Sequence, residues 1–314
     1  MKAEAVGRKT IKIISGIVNY FVLMIIVLLI AFAGYALWDS KQISLAADKS
    51  NYAVYKPTVE DQGKSFKELQ TINTEVIAWL SVYGTNIDYP VTQGPNNTKY
   101  INTDAEGQYS LSGSVFLDSN NSRDFSDFNS VLYGHHMARK AMFGDVGEFT
   151  GKDMFESHRY GNLYFDERDH GIEFFAFVHT DAYDGMIFTP NVVGEQRQVY
   201  LEGLLKNAVY TRDIDVTAED HIILLSTCSA GSTNGRDVLV GKITDEVYAD
   251  PAAKKETSGK AEQSDPDNQY CLVKGIPVLI LLLALMLTIR LIVYIFDTYQ
   301  RRKRYTKRNK RREE

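Results

Sequence analysis

Cys228 and Arg236 stand eight residues apart in the run IILLSTCSAGSTNGRDVLVGKI, residues 222–243. A thiol is an effective nucleophile only as thiolate, and a nearby cation both favours the thiolate and can hold a developing oxyanion. Arginine suits the second task because it keeps its charge and presents a fork of donors. A lone cysteine at a strand end is ordinarily a small buried hydrophobe; the arginine is what gives the pair chemical meaning. A third candidate, His135, lies in YGHHM at 133–137. An imidazole there can be a base, an acid or a metal ligand. His135 and His136 cannot both face one direction on an extended chain, so at most one points at a given site. His158, His170, His179 and His221 show no ligand spacing. The two cysteines, Cys228 and Cys271, are far apart in the chain. No metal site, disulfide framework or cofactor is therefore expected.

These residues need elements to position them. Residues 222–225 form an apolar run of strand length, and 238–243 are rich in β-branched residues. SAGSTNG between them is loop chemistry. Two antiparallel neighbours, the second starting just after Arg236, would bring thiol and guanidinium to one end of a sheet. Upstream, residues 65–73 have Phe66, Leu69 and Ile72 at helical spacing, and Ser65 with Glu68 makes a capping box. Strands are expected at 76–82, 87–91, 114–117, 129–133, 160–166 and 171–180, with Pro90 suggesting an edge or a bend. Short helical turns are expected at 141–149 and 152–156, with Met and Phe facing inward. Residues 195–210 read as the best helix, with Val199, Leu201, Leu204, Leu205 and Val209 on about one face. Many short strands with few helices predict a mainly antiparallel β-barrel over residues 58–248.

The ends of the chain read differently. The net charge of −5 hides an acidic middle between basic ends. Lys2, Arg8, Lys9 and Lys12 face only Glu4 in residues 1–12, and residues 290–314 carry ten basic side chains against Asp297, Glu313 and Glu314. Residues 13–37 carry no formal charge, enough to cross a bilayer as a helix, and the run is too long for a usual signal core. A second apolar run, 276–296, contains Arg290 near its end, where it can snorkel. The basic flanks put both termini in the cytoplasm and the domain outside, in a two-pass cell-membrane protein. The resulting layout is a cytoplasmic N-terminus (1–12), a span (13–38), a stalk (39–57), the domain (58–248), a linker (249–275), a second span (276–296) and a basic tail (297–314). Directly after a span, such a tail reports topology rather than nucleic-acid binding.

YGHHM with Met142 and Phe143, and LSTC at 225–228 with Arg236 downstream, resemble the catalytic signatures of class B sortases, cysteine transpeptidases of Gram-positive cell surfaces. EVIAWLSVYGTNIDYPVTQ at 75–93 and SGSVFLD at 112–118 are similar to the same pattern. The resemblance implies an eight-stranded β-barrel. It implies Cys228 as nucleophile, His135 as catalytic imidazole, Arg236 as oxyanion-stabilising cation, and Ser226 as a residue shaping the substrate site. It also implies cleavage of a C-terminal sorting pentapeptide after its Thr through a thioacyl enzyme. The implied partners are surface proteins bearing that signal and an acceptor amine of peptidoglycan precursor or a pilin Lys, with no nucleic acid. A C-terminal span departs from the usual class B layout and leaves anchoring and pilin polymerisation both open. The alternatives are a thiol protease hydrolysing the same signal and a non-catalytic membrane-tethered scaffold.

Overall fold

The computed structural model describes residues 2–58, 60–229 and 232–251, with isolated positions 288, 294, 295, 298 and 299. Apart from those positions, the expected second span, Cys271, the basic tail and all but the start of the expected linker lie outside the described residues. The chain divides into two compact units, Met1–Ser40 with Lys260–Glu314, and Lys41–Gly259.

Helix α1, Lys2–Ala46, is 45 residues long. Its apolar part has a mean hydropathy of 2.8 and is 0% buried, so it is long and apolar enough to cross a membrane. The helix outruns the apolar stretch into residues read as stalk. A 3₁₀ turn, Lys49–Tyr55, follows, its start capped by Asp48, which accepts from the Ser50 amide at 2.9 Å. Ala47 and Tyr52 are buried in the domain's main core. Helix α2, Lys64–Ile72, buries Phe66 and Leu69 as its spacing predicts. The expected capping box does not form. Gly63 takes the N-cap with a left-handed backbone, and Asp61 accepts instead from the amides of Gly63 (2.9 Å) and Ser65 (3.2 Å). A carboxylate at a helix start also suits the helix dipole.

The remaining elements in chain order are β1 (Val76–Val82), β2 (Asp88–Thr92), β3 (Val115–Leu117), β4 (Asn129–Tyr133), α3 (Lys152–Ser157), β5 (Tyr160–Phe165), β6 (Arg168–Asp181), α4 (Gln196–Asn207), β7 (Ala208–Thr211), β8 (His221–Cys228) and β9 (Gly235–Thr244). Strands β1, β2, β3, β4, β8, β9, β6 and β5 neighbour one another in that order, and β5 pairs back to β1. Eight strands thus close a barrel with no free edge between them. The pairs are antiparallel except β2–β3 and β4–β8. Pro90 sits in a strand with neighbours on both sides, opposite Trp79 of β1. The β3 pairing begins only at Val91, so Pro90 lies beyond its reach and its missing N–H costs no ladder bond there.

Strand alternation sorts the side chains into two cores. Leu132, Ile223, Leu225, Leu239 and Phe177 fill the barrel. Val131, Ile222, Leu224, Val238 and Val240 point outward and are covered by Tyr200, Leu201 and Leu204 of α4 and by Ile187. A bulge between Phe174 and Ala176 in β6 shifts its register against β9. Helix α4 stops at Asn207 rather than running to residue 210, because 208–211 pair with β6 as β7. Val199 and Val209, expected on the buried face, are exposed. Edge hydrogen bonds offered by β6 capture the segment that helical periodicity alone would have continued.

Candidate active site

β8 is held along its length by β4 and β9, and the three strands end together. Cys228 is its last residue and lies opposite Arg236. β9 begins at Gly235, so Arg236 is within the strand rather than before it, and the ladder itself sets the pairing. On the other side Tyr133 lies opposite Ser226. The Gly134 amide extends this ladder by donating to the Ser226 carbonyl at 3.2 Å, and the Thr227 hydroxyl donates to the Gly134 carbonyl at 2.8 Å. His135 therefore stands two residues past Tyr133, as Cys228 stands two past Ser226. Side chains alternate along a strand. Val131 and Tyr133, then Leu224, Ser226 and Cys228, then Val240, Val238 and Arg236 share the outer face. The ladder brings Cys228 and Arg236 to one end of that face, and His135 follows just past the end of β4, at the same end of the sheet.

Each is left available. Cys228 is a free, exposed thiol. Arg236 donates from Nη1 to its own neighbour's carbonyl, Gly235, at 2.9 Å. No described carboxylate forms an ion pair with its guanidinium. His135 Nε2 lies 2.9 Å from the Ile101 carbonyl, which can only accept, so that nitrogen carries the proton. Gly134 is required by contact: a Cβ there would lie 2.7 Å from the Phe143 ring. That ring is buried, and the Phe143 amide donates to the His135 carbonyl at 3.0 Å, folding the chain back after the histidine. Ser226 is buried, with no hydrogen-bond partner for its hydroxyl among the described residues.

Several polar groups beside the candidates gain their partners only in the fold. Asp237 is buried and accepts from His179 Nδ1 at 2.8 Å. It faces inward between Thr227 and His179, its register partners on either side. His136 also turns to this side, since a Cβ on Gly147 would lie 3.2 Å from His136 and 3.5 Å from Asp237. Next to Ser226, the Tyr133 hydroxyl donates to buried Asp118 at 3.0 Å, and Asn97 donates to the same carboxylate oxygen at 2.7 Å. Burial, and then the Asp118 charge, push the Tyr133 pKa far up, against a smaller pull from Arg236. Nothing in one sequence marks these groups, because their partners come from other strands. No group of three or more metal-ligating side chains forms among the described residues.

No family model matches the sequence. The chain is 31% identical to sortase B of Staphylococcus aureus over 182 residues, covering 57% of this chain and 74% of that protein. The chain belongs to the class B sortases. Two solved structures of the class are more similar in sequence. A sortase B from the type II pilus of Streptococcus pneumoniae shares 44% identity with a TM-score of 0.51, over 58% of this chain and 99% of that one. A Streptococcus pyogenes class B sortase involved in pilus biogenesis shares 40% identity with a TM-score of 0.53, over 58% of this chain and 99% of that one. The closed eight-stranded barrel is therefore a sortase barrel, and the enzyme is a sortase-type cysteine transpeptidase.

Proposed function

We propose that Cys228, His135 and Arg236 carry out the transpeptidation, a reading supported by the register that sets Cys228 opposite Arg236, with His135 following the neighbouring strand β4 at the same end. The Cys228 thiolate attacks the carbonyl carbon after the Thr of a C-terminal sorting signal. Arg236 holds the oxyanion. The C–N bond breaks as His135, protonated, gives its proton to the leaving amine. An acceptor amine then attacks the thioester, His135 takes the amine proton, and the C–S bond breaks to restore the thiolate. Ser226 shapes the wall beside the thiol.

The substrates are proteins carrying a sorting pentapeptide. The acceptor is a pilin Lys, a choice supported by the higher identity to the two pilus-associated sortases than to the S. aureus enzyme. Helix α1 anchors the enzyme, with both termini cytoplasmic and the barrel on the cell surface. Confinement at one membrane with signal-bearing proteins raises their effective concentration.

The test uses the full chain in detergent with fluorogenic peptides of NPxTN, LPxTG and SPxTG type. Each is run with a pilin-derived Lys peptide, with a peptidoglycan-type amine, and with no amine. A Lys adduct that disappears in Cys228→Ala supports the proposal. An adduct only with the cell-wall amine moves the acceptor to peptidoglycan. Acid product alone makes the enzyme a protease, and binding without thiol-dependent turnover makes it a scaffold.

A further inference from the structure

We infer that Tyr89 is a positioning residue that ties the loop carrying His135 to the C-terminal end of α1. The inference rests on the catalytic role proposed for His135.

Tyr89, in β2, is 2% exposed and its hydroxyl makes two hydrogen bonds. It donates to the Ala47 carbonyl at 2.9 Å and accepts from the Met142 amide at 3.1 Å. Ala47 is the first residue past α1: its amide still donates to Ile43, but no amide among the described residues returns to its own carbonyl. The neighbouring carbonyls of Leu45 and Ala46 are capped by the Asn51 side chain, at 2.8 and 3.3 Å. Tyr89 thus supplies the remaining cap from the barrel. These contacts make 47–55 part of the catalytic unit rather than a free stalk.

The other bond reaches the site. Met142 bridges His136 in antiparallel fashion, and Phe143 bonds the His135 carbonyl. Between them the chain turns through Arg139, Lys140 and Met142 with positive φ angles of 59°, 62° and 53°. Left-handed backbone is unfavourable for such residues and persists only where surroundings enforce it. The Tyr89 hydroxyl is one such restraint. Burial pushes its pKa up to about 12, so it stays protonated and able to donate. Without it the Met142 amide is a buried donor with no partner, and the turn that returns the chain to His135 loosens.

The test compares three variants of the full chain in detergent, with a fluorogenic sorting peptide and an amine. Tyr89→Phe keeps the ring and removes both bonds. We expect kcat to fall about tenfold, equivalent to roughly 1.4 kcal/mol, with KM for the peptide unchanged. Tyr52→Phe is the control, a buried tyrosine of the 49–55 turn in the same core. It should lose comparable thermal stability while keeping its kcat. An unchanged kcat in Tyr89→Phe, or an equal fall in Tyr52→Phe, overturns the inference. His135→Ala separates the two layers. If it turns over at the wild-type rate, the catalytic assignment fails and the inference with it; if it is inactive while Tyr89→Phe is normal, only the role of Tyr89 fails.

Discussion

At the mouth of the barrel two adjacent polar rows have opposite fates. The first is Cys228 of β8 and Arg236 of β9, with His135 just past β4; the thiol is exposed, and no described carboxylate pairs with the guanidinium. The inner row one residue away, Thr227, Asp237 and His179, is bonded within itself or to the backbone. Thr227 and Asp237 are buried, and buried polar groups without partners are costly, so these two must be satisfied; His179, half exposed, closes the Asp237 bond from the rim. A row at the open end of the outer face escapes that demand and can keep unpaired donors and a thiol for a substrate. What separates the buried, paired Thr227 and Asp237 from the exposed thiol and its neighbour Arg236 is one residue of strand alternation.

The sharpest break in this comparison comes from Arg236→Ala. We expect kcat/KM to drop by about 10²–10³-fold, the effect of losing one oxyanion donor, with little change in melting temperature. An activity within twofold of wild type would remove Arg236 from the reaction. Asp237→Ala should behave in the opposite way. It removes a buried carboxylate and its bond to half-exposed His179, and stability should fall by about 0.5–1.5 kcal/mol in urea unfolding. A rate loss with no stability loss would erase the distinction between the rows.

Two smaller effects refine it. His170, at the far end of the barrel, is buried and stacked on Phe165. Burial, and then the Arg168 charge, lower its pKa below the usual 6.5. The unfolded chain therefore takes up this proton at higher pH than the folded one does. The stabilisation is full above 6.5 and is lost as pH falls through that value toward the folded pKa. Urea midpoints between pH 7.5 and 5 should show this slope, and His170→Asn should flatten it; parallel curves would refute the effect. The smallest change is expected for Ser226→Ala. Its hydroxyl has no described partner, so stability should hold. Kinetics should show kcat/KM falling about threefold to tenfold, the range of one neutral hydrogen bond to substrate. Unchanged kinetics would reduce Ser226 to filler.

Much of this was legible in the chain. Short apolar and β-branched runs marked many of the barrel strands, β1 and β4 to the residue, because strands covered on both faces are apolar along most of their length. Cys228, His135 and Arg236 stood out because each sits at a strand end beside glycine-rich or polar loop chemistry. Where local signals competed with distant ones, local reading lost. The 208–211 segment looked helical until the edge of β6 claimed it, and Ser65 looked like a helix cap until Asp61 took that place. Residues 39–57 looked like a stalk because nothing local reveals that Tyr89 and the core would bind Ala47 and Tyr52.

The sequence by itself determined which residue types can react and which face of each strand they occupy, since alternation is a property of the extended backbone. Only the tertiary structure decided that the ends of β4, β8 and β9 lie side by side, with Cys228 opposite Arg236. That depends on register between strands up to a hundred positions apart, and register is set by ladders and turns. The same register decided which polar neighbours would pair beside the site, buried Asp237 with His179 and buried Asp118 with Tyr133. A hydrogen bond between distant residues leaves no periodic trace along either segment, so its presence is settled only when the barrel closes.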